Sequence, residues 1–135
     1  GPIFSAYMGS TQSISSGTWT KVNFDTKEFD SASCYNTSTY RFTPNVAGYY
    51  QYNCTLYLYP GGYEGIIGFY KNGSLVRYGQ DFTASTLWIF SASTMCYMNG
   101  STDYMEIYAY RGTTGSTGSA GPQFSIFQGF LVRAA

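Results

Sequence analysis

Residues 48–59 read Gly-Tyr-Tyr-Gln-Tyr-Asn-Cys-Thr-Leu-Tyr-Leu-Tyr, and this long alternating run constrains the fold more than any other stretch of the chain. In an extended strand successive side chains point to opposite faces, so Tyr50, Tyr52, Cys54, Leu56 and Leu58 share one face. That face requires a core to bury it. Tyr49, Gln51, Asn53, Thr55 and Tyr57 form the other, which carries rings and amides but no charge and suits either water or a second subunit. Upstream, Tyr40 and Phe42 share a face of a shorter strand. Pro44 and Gly48 bracket the turn between the two strands, because proline presets φ and cannot donate to a ladder.

Further strands are expected on both sides of this pair. Residues 3–8 read as a first strand, and 19–24 alternate apolar with polar; 25–30 form an acidic loop that continues through residue 39. Gly61 and Gly62 end the long strand. Residues 65–70 and 75–78 flank Asn72-Gly73, the dipeptide that favours a type I′ hairpin turn. Two more strands are expected at 86–90 and 94–98. In residues 104–110, Met105, Ile107 and Ala109 make a core face and Tyr104, Glu106, Tyr108 and Tyr110 the opposite one. The last strand spans 124–132, with Gly129 marking a close backbone approach. Glycines at 112, 115, 118 and 121 repeat at a collagen-like period, but with a single proline, Pro122, they read as a flexible loop. About ten short strands without a helical period give an all-β fold, a jelly-roll β-sandwich, over residues 3–135. Gly1-Pro2 reads as a cleavage scar or the end of a stalk.

Composition then limits what such a domain does. Lys+Arg and Asp+Glu number 7 each, so net charge is zero, and no basic cluster exists to displace counterions from nucleic acid. Aromatic residues reach 20% against 10% charged, and so neutral a surface does little to prevent self-association. No run is long and apolar enough to span a bilayer, and no leader is expected. Cys34, Cys54 and Cys96 match neither a zinc nor a redox spacing and read as buried thiols. Histidine is absent, which removes the commonest general base and zinc ligand, and the chain reads as non-enzymatic with no cofactor.

A glycan hydrolase would need two carboxylates from Asp25, Glu28, Asp30, Glu64, Asp81 and Asp103, in a long groove that so short a chain has little room to build. Asp25, Glu28 and Asp30 can offer oxygen ligands to calcium, or simply solvate an acidic turn. The glycosylation-type triplets at Asn36, Asn53, Asn72 and Asn99 read as coincidence, two of them as turns. Saccharide recognition uses flat rings with polar edges; Tyr59 and Tyr63, beside the glycines that end the long strand, are the expected exposed contacts, whereas Trp19 and Trp88 are expected in the core.

Taken together, Ile3-Phe-Ser-Ala-Tyr7, Tyr40-Arg-Phe-Thr-Pro-Asn-Val-Ala-Gly-Tyr-Tyr50, Tyr70-Lys-Asn-Gly73, Gly100-Ser-Thr-Asp-Tyr-Met-Glu-Ile107 and Phe127-Gln-Gly-Phe-Leu-Val132 resemble the globular head of complement component 1q (C1q), which shares its jelly roll with tumour necrosis factor. The segment 24–30 is more similar to the bacterial and bacteriophage branch, whose domains cap tail fibres and other appendages. The resemblance implies a tight homotrimer, with Tyr49, Gln51, Asn53, Thr55 and Tyr57 facing the three-fold axis together with Tyr104, Glu106 and Tyr108. Glu106 would then need a neighbour's hydroxyl, an Arg or a cation. It implies also that a short penultimate strand is missing at 112–123, and that calcium, held near the apex in some relatives, is an option here. The function it implies is a non-enzymatic head domain of a virion appendage or bacterial surface protein, binding a host-surface glycan or protein receptor. The alternative is a secreted signalling or defence module that binds a protein receptor.

Overall fold

The computed structural model describes residues 1–82 and 88–135. Among the described residues there is no helix, and thirteen strands form two sheets in which every pairing is antiparallel. In the first sheet β4 (Thr26–Asp30), β1 (Ile3–Tyr7), β13 (Ile126–Ala134), β7 (Gly48–Tyr59) and β10 (Ile89–Met98) lie side by side. Two short strands, β12 (Gly115–Thr117) and β2 (Ser13–Ile14), extend it from the far end of β7. The second sheet runs β5 (Tyr35–Asn36), β6 (Arg41–Phe42), β11 (Met105–Arg111), β8 (Gly65–Lys71) and β9 (Ser74–Phe82), and β3 (Thr20–Lys21) also pairs with β11.

The alternation in β7 sets the layer spacing. Tyr50, Tyr52, Cys54, Leu56 and Leu58 are all buried between the sheets, as the period-two pattern requires. Facing them, Phe42, Ile67, Phe69, Met105, Ile107 and Ala109 supply the inner face of the second sheet. Phe4 ties the layers together: its ring stacks on Phe42 of the opposite sheet with centroids 4.2 Å apart and meets Phe127 edge-on at 4.9 Å. Burying each such ring stabilises the fold by about 1.5–3 kcal/mol. Polar tips are mostly satisfied, since the Tyr35 hydroxyl donates to the Phe24 carbonyl at 2.7 Å and that of Tyr50 to Val46 at 2.8 Å.

The hairpin at Asn72-Gly73 has both residues at positive φ, 54° and 81°, as a type I′ turn requires. Elsewhere the structure corrects the sequence reading. The acidic segment is an edge strand, β4, hydrogen-bonded to β1, where lysine and carboxylates blunt an open edge. Of residues 19–24 only Thr20 and Lys21 pair, although Val22 and Phe24 are buried. One continuous strand, β10, replaces the two expected around Ser91–Ser93; Thr86 and Leu87 lie outside the described residues. Gly115–Thr117 fills the position of the strand thought missing. The space a Cβ would take at Gly129 is filled by the rings of Tyr52 and Phe4 rather than by another backbone.

Candidate functional site

Among the described residues, the outward side of the first sheet carries most of the exposed large apolar side chains. Tyr49 and Tyr57 project from β7, and Ile89, Met95 and Tyr97 project beside them from β10, in register with Tyr57, Gln51 and Tyr49. On the other flank β13 adds Phe130 and Val132, β1 adds Ile3 and β4 adds Phe29. Met95 is 54% exposed and Tyr49 48%. Between the flanks runs a polar centre: Asn53 sits between Ser93 and Gln128, and Thr55 shares a 2.8 Å hydrogen bond with Ser91. Gln51 donates to Asn53 at 3.4 Å. A sheet face that is apolar at its flanks and uncharged at its centre has the composition of an interface rather than of a solvated surface.

Tyr49, Gln51, Asn53, Thr55 and Tyr57 therefore stand on one surface, but Tyr104, Glu106 and Tyr108 do not join them. They lie on or beside β11, whose outward side faces away on the opposite layer. The aromatic strand that borders β7 is β10. Glu106 is 2% exposed and is held within its own chain by Lys21 Nζ at 3.0 Å and Arg41 Nη2 at 3.2 Å, so it needs no partner subunit. The Arg41 guanidinium in turn lies 3.9 Å from the centre of the Tyr104 ring.

At the end of β7 the chain turns through a cis Tyr59–Pro60 bond, and Arg111, buried in the second sheet, donates to the Tyr59 carbonyl at 2.7 Å. Tyr59 and Tyr63 are both exposed here. Trp88 is not in the core: it is 39% exposed, stacks on Tyr57 at 6.1 Å and meets Tyr59 edge-on at 5.5 Å. Its ring occupies the space above Gly61 that any Cβ would fill, so glycine is what admits it. Trp19 is likewise only half-buried, on the outward side of the second sheet.

The three carboxylates considered for calcium are spent separately. Asp25 accepts from the Gly9 amide at 2.7 Å, Glu28 from the Ser5 hydroxyl at 2.7 Å, and Asp30 from the amides of Cys34 and Tyr35 at 3.0 and 2.9 Å. Among the described residues no three acidic, cysteine or histidine side chains converge, so the donor set does not fit a calcium site. Two clefts open on this surface. The one across its polar centre is lined by Asn53, Thr55, Ser91, Ser93 and Gln128, and its neighbour by Ile3, Phe29, Asn53, Gln128 and Phe130, with no carboxylate in either. Asn36 and Asn99 use their side-chain oxygens to accept local turn amides, and Asn72 accepts the Tyr104 amide just before β11. All three cysteines are free thiols.

A model of the C1q domain family matches residues 3–132. Among solved structures, the globular domain of the zebrafish complement 1qA protein is similar with a TM-score of 0.73 at 18% identity, covering 99% of this chain and 98% of that one. Murine APRIL gives 0.66 at 9% identity over 97% of this chain and 98% of its own. The Eiger TNF of S. frugiperda gives 0.62 at 10%, over 100% and 96%. At these identities the likeness is one of fold, the jelly-roll sandwich. No curated protein matches the chain by sequence.

Proposed function

The chain belongs to the C1q domain family, and from that premise we propose that it is a non-enzymatic head domain that trimerises and binds a receptor on a host surface. The observation that carries the proposal is the outward side of the first sheet, where tyrosine, methionine and aliphatic side chains stand uncovered around an uncharged centre. Packing three copies through Tyr49, Gln51, Asn53, Thr55 and Tyr57, with Met95 and Tyr97 of β10 beside them, removes that surface from water. Residues 3–135 act as one unit in this arrangement. Tyrosine suits the role because its ring buries apolar area while its hydroxyl finds a partner.

The parent protein in this proposal is a phage tail fibre, another virion appendage or a bacterial surface protein, which places the domain on a virion or outside the cell. Its support is the similarity of residues 24–30 to that branch. The free cysteines, and the asparagines engaged in turns, weigh against a secreted animal-type module. The receptor is a glycan met by the exposed rings of Tyr59 and Tyr63, repeated three times so that weak contacts act together.

Retention of the purified domain on immobilised, uncharged host-surface polysaccharide tests this reading. Tyr63→Ala is expected to abolish retention while the assembly stays intact; retention unchanged by that substitution removes the tip from the account.

A further inference from the structure

Five aromatic rings gather on the outward side of the second sheet, the layer opposite the proposed trimer surface. Trp19 is the hub: its ring centre lies 5.8 Å from Tyr70, 6.0 Å from Tyr78 and 5.6 Å from Tyr110. Tyr108 stacks on Tyr70 at 3.9 Å. The rings come from four neighbouring strands or their flanks, and Gly68 sits beneath them. A Cβ at Gly68 would stand 2.7 Å from the Trp19 ring, so its absence is what lets the indole approach the sheet this closely. Tyr78 is 60% exposed and the other rings are half-buried, so the cluster is a shelf open on one side. Among the described residues neither the Trp19 indole N–H nor the hydroxyls of Tyr70, Tyr78, Tyr108 and Tyr110 have a hydrogen-bonding partner in the protein.

A cationic cluster borders this shelf. Lys21 is the ladder partner of Tyr108 and lies two residues from Trp19, which puts both on one face of the strand. Lys21 and Arg41 share a single carboxylate, Glu106, leaving one positive charge in excess, and each cation is about one-third exposed at 30% and 33%. Rings that offer flat faces, unpaired hydroxyls at their rims and an adjacent unmatched cation match one ligand chemistry: a sugar ring with an apolar C–H face, hydroxyl edges and a carboxylate.

We propose that the Trp19 shelf with Lys21 and Arg41 is a binding site for an acidic saccharide, its apolar face against the rings of Trp19 and Tyr78 and its carboxylate paired with the excess cation. The site lies within one chain, so it operates whether or not the domain trimerises, and it is separate from Tyr63.

The test is titration of the intact domain with uronic-acid and sialic-acid oligosaccharides, and with neutral hexose oligomers of the same length, followed by the NMR signal of the Trp19 indole N–H. The acidic oligosaccharides are expected to shift that signal saturably and the neutral ones far less, with affinity falling as salt is raised. Tyr78→Ala, at the most exposed ring, is expected to weaken binding about tenfold, the loss of one aromatic contact. Tyr63→Ala is expected to leave this titration unchanged even if it abolishes polysaccharide retention, which separates failure at the tip from failure here. Equal response to neutral and acidic sugars, no saturable shift with any of them, or full binding by Tyr78→Ala overturns the proposal.

Discussion

Arg111 holds Tyr59 in place: its Nη1 donates to the Tyr59 carbonyl at 2.7 Å, and its Nη2 donates to the next carbonyl, that of Pro60. The guanidinium is 1% exposed and, among the described residues, forms no ion pair. Burial pushes its pKa below the usual value, yet arginine stays charged across the accessible pH range. Arg111→Met leaves both carbonyls without a donor, which is expected to cost about 2 kcal/mol in urea denaturation. Arg111→Lys, able to serve one carbonyl but not both, is expected to fall between.

Glu106 anchors the outward side of the second sheet through two cations. Glu106→Gln leaves Lys21 and Arg41 facing each other without a counter-charge. Because both are partly open to solvent, the loss is expected to be about 1–3 kcal/mol, less than for a fully buried pair. Denaturation of E106Q, K21M and the double variant checks this: the double variant should cost clearly less than the sum of the two.

Acid is expected to destabilise the domain in part through Asp103. Burial works against its charged form, but hydrogen bonds from Asn72, Lys71 and the Asn99 amide outweigh it and hold the carboxyl below its ordinary pKa. A depressed folded pKa means that the stabilisation is complete above the unfolded value, about 4, and is lost as pH falls through the folded one. Asp103→Asn is therefore expected to be less stable than the parent at pH 7 and to lose less on acidification. Urea midpoints between pH 7 and pH 2 measure both.

Thiol labelling reports on the core. Cys54 is fully enclosed between the sheets and burial pushes its thiol far up; burial raises Cys34 as well, and Cys96 is raised less simply, since Lys71 pulls it down. In the native protein Cys96 is expected to react first and Cys54 only on global unfolding. Equal rates for the two would show that the sandwich opens around β7.

What the sequence made legible was local. The two faces of β7, the core face of β11 and the Asn72-Gly73 turn follow from alternation and turn chemistry, and the structure agrees with each. Which strands lie side by side did not follow, because pairing joins residues far apart in the chain. Tyr104 and Tyr108 look as suited to a tyrosine-rich surface as Tyr49 and Tyr57, yet β11 lies in the other sheet. The true neighbour, β10, was disguised by Ser91 and Ser93, whose small polar side chains look like a break and instead continue the polar centre of the surface. Hydrophobicity alone puts Trp88 and Trp19 in the core, although each lies over a glycine on an outward surface. That glycine pairing was the signal available in the sequence, but the contacts it serves are long-range.

The solution mass of the purified chain, followed by light scattering over a range of concentrations, decides whether three copies pack through the first sheet. A stable particle of about three times the 14.9 kDa chain, persisting on dilution, is expected, because the uncovered tyrosine, methionine and aliphatic surface of the first sheet is buried between copies. A mass of 14.9 kDa at every concentration would leave that surface in water and contradict both the assembly and the avidity built on it.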